Sequence, residues 1–329
     1  MAADKPNPTC WILTEGIAGT ENQCLALAAA LGLKCDVKRA AGKLPWRLLG
    51  PEMASLPLSL IARGRNQLTP PWPDLLIASG HKCAGLALTV RRASRGKSFT
   101  VFVQNPRLGF KHFDLIIAPR HDGLTGSNTF GTRGALSRVT NPLLNEAAET
   151  FAPKFAHLPR PLVACLIGGS SRRHTFRPTD GHTLGKALAR LSEDTGCGLL
   201  VTTSRRTPEA SFTAFEAALG HAPMHIWRGA GTNPYLGYLA LADHMLVTAD
   251  SVSMISDACN TGKPVHILPM DGHSSARFDQ FFAALEAEGV VRPFTGTLDS
   301  WTYEALNDCS KAAAYIRQRL TIKTAQQNG

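Results

Sequence analysis

Short apolar runs recur along the whole chain, each followed by a Gly, Ser, Thr or Asp and then by an amphipathic stretch. That alternation is the mark of parallel βαβ units: a strand buried on both faces reads as a continuous apolar run, and its crossover helix as a striped one. In the first half, runs at 10–14, 33–38, 74–79, 99–104 and 115–118 predict strands. Leu25, Leu27, Ala28 and Leu31, at helical spacing ahead of Gly32, predict a helix over 22–31, and a second is expected over 81–92. The stretch 42–73, rich in Pro and Arg, shows no regular period. The rhythm restarts at 162, with predicted strands at 162–167, 199–203, 224–227, 245–248 and 265–268. Helices are expected at 182–192, 209–219, 235–242, 252–261, 276–288 and 303–321.

A chain of 329 residues exceeds the usual size of one domain, so two are expected. Phe151, Pro153, Phe155, Pro159 and Pro161 interrupt both periods over 149–161, which suits a linker. The expected division is therefore 1–155, an acceptor-side domain, and 156–329, a nucleotide-binding domain whose last helix packs back on the first. The fold class is α/β, two Rossmann-like domains whose mainly parallel sheets face each other across a cleft. In such sheets ligands bind beyond the carboxyl ends of the strands, so the chemistry belongs in the loops that follow the runs.

Composition narrows the partner. With 44% hydrophobic and 18% charged residues the chain should fold, and a net charge of +10 favours anionic ligands. The basic residues are dispersed in pairs (Arg63/Arg65, Arg91/Arg92, Arg172/Arg173, Arg205/Arg206) without a nucleic-acid-binding signature, so nucleic acid is not an expected partner. The eight cysteines are scattered singly and read as small buried hydrophobes of a reducing compartment. Neither Cys-x-x-Cys nor His-Glu-x-x-His occurs, so no metal is expected. Residues 1–8 have no signal-peptide core, and no run approaches the roughly 18 apolar residues of a membrane span. The expected location is the cytoplasm, with any membrane contact peripheral, at the inner face.

Several strand-end loops carry phosphate chemistry. Gly168, Gly169, Ser170, Ser171 and Arg172 follow one strand, combining close backbone approach, hydroxyl donors and a guanidinium. Without Lys-Ser/Thr this is not a Walker loop; its plain alternative is a tight turn. Thr203, Ser204 and Arg205 end the next strand, with Pro208 placed to open a helix. Asn233 follows a third. Ser251 and Ser253 open a helix whose N–H groups and dipole favour an anion, and Asp257 lies about a turn and a half inside, where a carboxylate can hold ribose hydroxyls. The plain alternative is that Asp250 or Ser251 only caps the helix. In the first half Gly16, Gly19 and Asn22 form a glycine-bearing acceptor loop that does not meet the dinucleotide fingerprint, and Glu15 and His81 fall at strand ends where a general base could sit. No Asp-x-Asp triplet is present to chelate a metal-bound nucleotide sugar.

Trp11-Ile12-Leu13-Thr14-Glu15-Gly16, Leu166 to Ser171, Val201 to Pro208, Asn233-Pro234-Tyr235, Thr248 to Met254 and Thr261-Gly262-Lys263-Pro264 resemble the mitochondrial fission ELM (elongated mitochondria) family over nearly the whole chain. The resemblance implies a bacterial member with a fold similar to GT-B glycosyltransferases, whose C-terminal half binds a sugar nucleotide without a metal. An acidic residue on the helix after the phosphate turn holds the ribose in that pattern; the matching position here is Asp257, where relatives commonly carry Glu.

The expectation from sequence is a metal-independent glycosyltransferase that needs no cofactor and uses a nucleotide sugar as substrate. Its acceptor would be anionic or lipid-linked, with Glu15 or His81 as base. Two alternatives stand beside it: a nucleoside-diphosphate-sugar epimerase of GT-B shape, and a non-catalytic scaffold related to the plant fission factors.

Overall fold

A computed structural model describes residues 8–42, 62–63, 68–107, 109–170, 175–270 and 276–328, without the side chains of 62–63 and 323–328. The chain divides into two compact units, Met1–Arg138 with Asn307–Gly329, and Val139–Leu306. The first runs through β1 (Cys10–Thr14), α1 (Ala18–Leu31), β2 (Cys35–Arg39), β3 (Ala41–Gly42), β4 (Ala62–Arg63), β5 (Leu75–Ser79), α2 (Ala84–Ala93), β6 (Phe99–Val103), β7 (Leu115–Pro119) and β8 (Thr129–Thr132). The second holds α3 (Asn141–Phe155), β9 (Leu162–Ile167), α4 (Pro178–Thr195), β10 (Gly198–Thr203), α5 (Glu209–Leu219), β11 (Met224–Trp227) and α6 (Tyr235–Leu241). It continues through β12 (His244–Thr248), α7 (Val252–Cys259), β13 (Val265–Leu268), α8 (Ala276–Ala287) and β14 (Val291–Pro293); α9 (Asp308–Asn328) then returns to the first unit.

Each unit is a six-stranded parallel sheet, β2-β1-β5-β6-β7-β8 in the first and β11-β10-β9-β12-β13-β14 in the second. The short pair β3–β4 is antiparallel and separate. Every residue of β1, β5, β6 and β9 is buried, and alternate residues serve opposite faces. Thus Leu162, Ala164 and Leu166 join one core of the second unit, while Val163, Cys165 and Ile167 join the other. Cys10 and Ile12 against Trp11 and Leu13 divide the first sheet in the same way. Helix α9 closes one of these cores with Cys309, Ala312, Ala313 and Ile316, a stripe at helical spacing that packs with Leu27 and Leu31 of α1.

The reversal of strand order defines a switch point in each sheet. In the second unit β10 and β12 lie on opposite sides of β9, so the crevice opens between β9 and β12; in the first, β2 and β5 flank β1, and it opens between β1 and β5.

Three expectations need correction. The stretch 149–161 is not a linker: α3 occupies it as far as Phe155, and the units divide at Arg138 and Val139 instead of 155 and 156. Pro142 sits at the helix start, where no N–H is needed, and Pro153 falls in the last turn. Leu144, Ala147, Phe151 and Phe155 hold one helical face, and Phe155 packs on His225 and Tyr238. Helix α1 begins at Ala18, so Gly19 and Asn22 belong to its first turns and not to a loop. Finally, two of the cysteines are not separate hydrophobes. Parallel pairing of β1 with β2 sets Cys10 opposite Cys35, and the two form a disulfide with a Cα–Cα distance of 4.6 Å. The other six are buried and form no disulfide.

Candidate functional site

The switch point of the second sheet gathers the turns after β9, β10 and β12. Gly168 N–H donates to Thr248 Oγ1 (2.7 Å) and Gly169 N–H to Asp250 Oδ2 (3.0 Å). The Thr248 hydroxyl donates to Asp250 Oδ1 (2.7 Å), and Arg206 Nη2 donates to Asp250 Oδ2 (2.8 Å). From the β10 turn, Thr207 Oγ1 donates to the Gly168 carbonyl (2.5 Å), while Ser170 N–H reaches back to the Arg206 carbonyl (3.0 Å). One carboxylate, only 5% exposed, therefore ties three strand ends together.

The glycines are there for space. Neither Gly168 nor Gly169 has a positive φ, but a Cβ at Gly168 would run into the Asp250 carboxylate and one at Gly169 into the Arg206–Thr207 peptide. Their amides, expected from sequence to face a phosphate, are engaged by Thr248 and Asp250. Further backbone donors among the described residues of this rim lie on α7. Ser251 caps it by accepting from Met254 N–H (3.4 Å), and Val252 and Ser253 have the first-turn N–H groups that a helix cannot satisfy itself. Ser253 is exposed, and Arg205 projects from the β10 turn without a hydrogen bond among the described residues. Ser204 steadies that turn by accepting from Arg206 N–H (3.1 Å), and Thr203 is the last residue of β10. Ser170 Oγ accepts from Phe176 N–H (3.0 Å); Ser171 and Arg172 lie outside the described residues.

Asp257 does not stand alone. The Tyr235 hydroxyl donates to its Oδ2 (2.9 Å), and burial, reinforced by the Asp257 charge, pushes the phenol well above its usual range, so it stays a donor. Asn233 works locally: its Oδ1 accepts from Tyr235 N–H (2.9 Å) at the start of α6. At the other end of α6, Lys263 donates to the carbonyls of Leu239 (3.0 Å) and Ala240 (2.5 Å), and burial lowers its ammonium to about 8.

In the first unit Glu15 crosses the switch point from β1 to the turn after β5. Its carboxylate, 5% exposed, takes Lys82 Nζ at 2.9 Å and Lys82 N–H at 3.0 Å, with His81 Nδ1 4.0 Å away. Burial pulls the Glu15 pKa up, but the Lys82 hydrogen bonds and the charges of Lys82 and His81 outweigh it and hold the carboxyl below its ordinary value. It is an ionised, engaged group, while His81 remains half exposed on the turn. Beside it, Glu21 accepts from Thr14 Oγ1 (2.9 Å) and from two Arg39 nitrogens (2.9 and 2.7 Å). The Arg39 hydrogen bonds hold the Glu21 carboxyl low, against the pull of burial. Gly16, with φ +80°, makes the turn into α1.

Sequence reasoning singled out the turns but missed the residues that join them. Arg206, Thr207 and Thr248 stood in the quoted runs, and Asp250 was noted only as a cap. Their signal was placement at strand ends, which alone does not say which end meets which. Lys82, next to His81, and Tyr235, in Asn233-Pro234-Tyr235, were readable in the same way.

Two parallel α/β units of this kind, with crevices at their carboxyl edges, place the chain among GT-B-like proteins. A UDP-GlcNAc 2-epimerase from Methanocaldococcus jannaschii matches 94% of the chain over 99% of its own length, with a TM-score of 0.54 at 12% identity. MurG of Acinetobacter baumannii matches 97% of the chain over 94% of its own, with a TM-score of 0.50 at 13% identity. The sequence is more specific than the fold: residues 18–320 match the Mitochondrial fission ELM1 profile, and the chain belongs to that family. The Arabidopsis thaliana protein named Mitochondrial fission protein ELM1 is 36% identical over 281 residues, 76% of this chain but 65% of its own length, so the matched stretch spans just under two thirds of that relative. Among the described residues no helix is long and apolar enough to cross a membrane.

Proposed function

We propose that the carboxyl edge of the second sheet binds the diphosphate of a nucleotide sugar and that the chain is a metal-independent glycosyltransferase. The observation that supports this most directly is the knot around Asp250, which draws the α7 N-terminus and the Arg205 turn to one switch-point crevice. There the N–H groups of Val252 and Ser253, the Ser251 and Ser253 hydroxyls and the Arg205 guanidinium would receive the phosphates and stabilise the departing nucleoside diphosphate. Gly168, Gly169 and Arg206 build the crevice instead of binding the ligand. Asp257, oriented by Tyr235, is assigned to the ribose.

The acceptor is assigned to the first unit. His81 is the base there, and Glu15 holds its turn, because an engaged carboxylate with a lowered pKa takes protons poorly at neutral pH. An anionic or lipid-linked acceptor suits the net charge of +10. The likeness to a UDP-GlcNAc 2-epimerase keeps a second reading in view, and product analysis separates them: an isomerised sugar nucleotide formed without acceptor identifies the epimerase.

The test is a thermal-shift panel of nucleoside diphosphates and their sugars. A ligand at 100 times its Kd stabilises by about 2.7 kcal/mol, a rise of roughly 5–10 °C for a unit of this size. Arg205→Ala, at an exposed side chain with no hydrogen bond among the described residues, should shrink the rise, and Ser251→Ala should nearly remove it. A flat panel rejects the nucleotide-sugar reading and leaves the partner-binding scaffold.

A further inference from the structure

A cavity of about 1030 Å³ opens at the other edge of the first sheet, where β6, β7 and β8 begin, and has no part in the site above. Its apolar wall contains Phe99 and Phe113, each 3% exposed, together with Leu124. Among the described residues three large apolar side chains are exposed, and two of them, Phe110 (36%) and Ile322 (48%), stand on this one rim. Leaving both in water is unfavourable, and concentrated exposed apolar surface marks a contact site.

The charge of the wall is one-sided. Lys111 and Arg319 line it, and neither has an ion-pair partner among the described residues; Arg319 lies over the Tyr315 ring at 5.9 Å. Asp114, the only carboxylate on the wall, is turned to Arg91 (both contacts 3.2 Å) and accepts from the N–H and hydroxyl of Thr100 (each 2.8 Å). The cavity is thus mixed, with apolar Phe110, Leu124 and Ile322 beside polar Thr125, Ser127, Asn128 and Thr129 and two cations, and its volume is near the upper bound, roughly 1,000 Å³, typical of small-molecule sites.

We propose that this cavity binds a single-chain amphiphile with an anionic head, a carboxylate or a phosphate, taken up as a free molecule, its chain against Phe110, Leu124 and Ile322 and its head beside Lys111 and Arg319. Such a ligand covers Phe110 and Ile322 and sets its anionic head beside two cations. It does not depend on the nucleotide-sugar reading.

The test uses the full chain and cis-parinaric acid fluorescence, with displacement by dodecyl phosphate and decyl phosphate below their micelle concentrations and by dodecanol below its solubility limit. Saturable binding is expected, weakening about tenfold for the two methylenes lost from dodecyl to decyl. Dodecanol should compete at least about tenfold more weakly than dodecyl phosphate. Lys111→Glu with Arg319→Glu should reduce dodecyl phosphate affinity about tenfold or more, while Lys34→Glu, exposed elsewhere on the unit, leaves it unchanged. If the double variant melts early, Lys111→Glu alone, exposed on the short 3-10 turn Phe110–His112, provides the reading. Absence of saturable binding, equal competition by dodecanol, or indifference to charge reversal overturns the proposal. So does adsorption to phosphatidylglycerol vesicles without binding of any free amphiphile, which would make this patch a bilayer contact.

Discussion

The switch point of the second sheet is assembled around main chain: two glycines admit a buried carboxylate and a neighbouring peptide, and hydroxyls close the remaining bonds. That of the first sheet is assembled around side-chain charge, with Glu15 against Lys82 and His81, and Glu21 against Arg39. The same topology thus reaches two different physical solutions. An added atom at Gly169 meets backbone that cannot move aside, whereas one at Gly80 meets the Glu15 side chain, which an ion pair with Lys82 holds and protons can release.

Substitutions can break that contrast in order of size. Gly169→Ala should be the most damaging, because the new Cβ meets backbone that cannot swing away; overpacking of this kind costs about 2–3 kcal/mol, or roughly 5–10 °C in Tm by calorimetry. A loss below about 1 kcal/mol would show that the crevice is not sterically set. Asp250→Asn should cost about 1–2 kcal/mol, since it removes the charge that Arg206 Nη2 and Gly169 N–H both address. Denaturant midpoints would measure it.

Glu15→Gln should cost about 1 kcal/mol at neutral pH, a charged hydrogen bond offset by the exposure of its partner. Its pH dependence is the sharper readout. The folded-state pKa lies below the 4.5 of the free side chain, so the stabilisation is fully present above 4.5 and disappears as pH falls through the folded value. Wild type and variant should therefore differ at pH 7 and converge in acid; a constant gap would mean that packing, not charge, holds the turn. Gly19→Ala should have the smallest effect, a gain within about 1 kcal/mol, because its Cβ would meet nothing within 4 Å and the position lies in α1.

Much of this protein could be read from its residues one segment at a time. Unbroken apolar runs marked β1, β5, β9 and β12 because strands covered on both faces have no polar side, and a stripe at helical spacing marked α1. The quoted runs were sufficient to recognise the family. Where local signals conflicted the reading failed: two prolines in α3 outweighed its four-residue stripe, although one lies at the helix start and the other in its last turn.

What the residues could not disclose was which strand ends would meet. Asp250 and Gly169 are 81 positions apart, Glu15 and Lys82 67, and Cys10 and Cys35 25. Period and composition encode each segment against water, whereas these pairings follow from the order in which strands enter the sheet. Tertiary structure alone set that order, turning Asp250 from a helix cap into the centre of the crevice and joining two scattered cysteines across parallel neighbours.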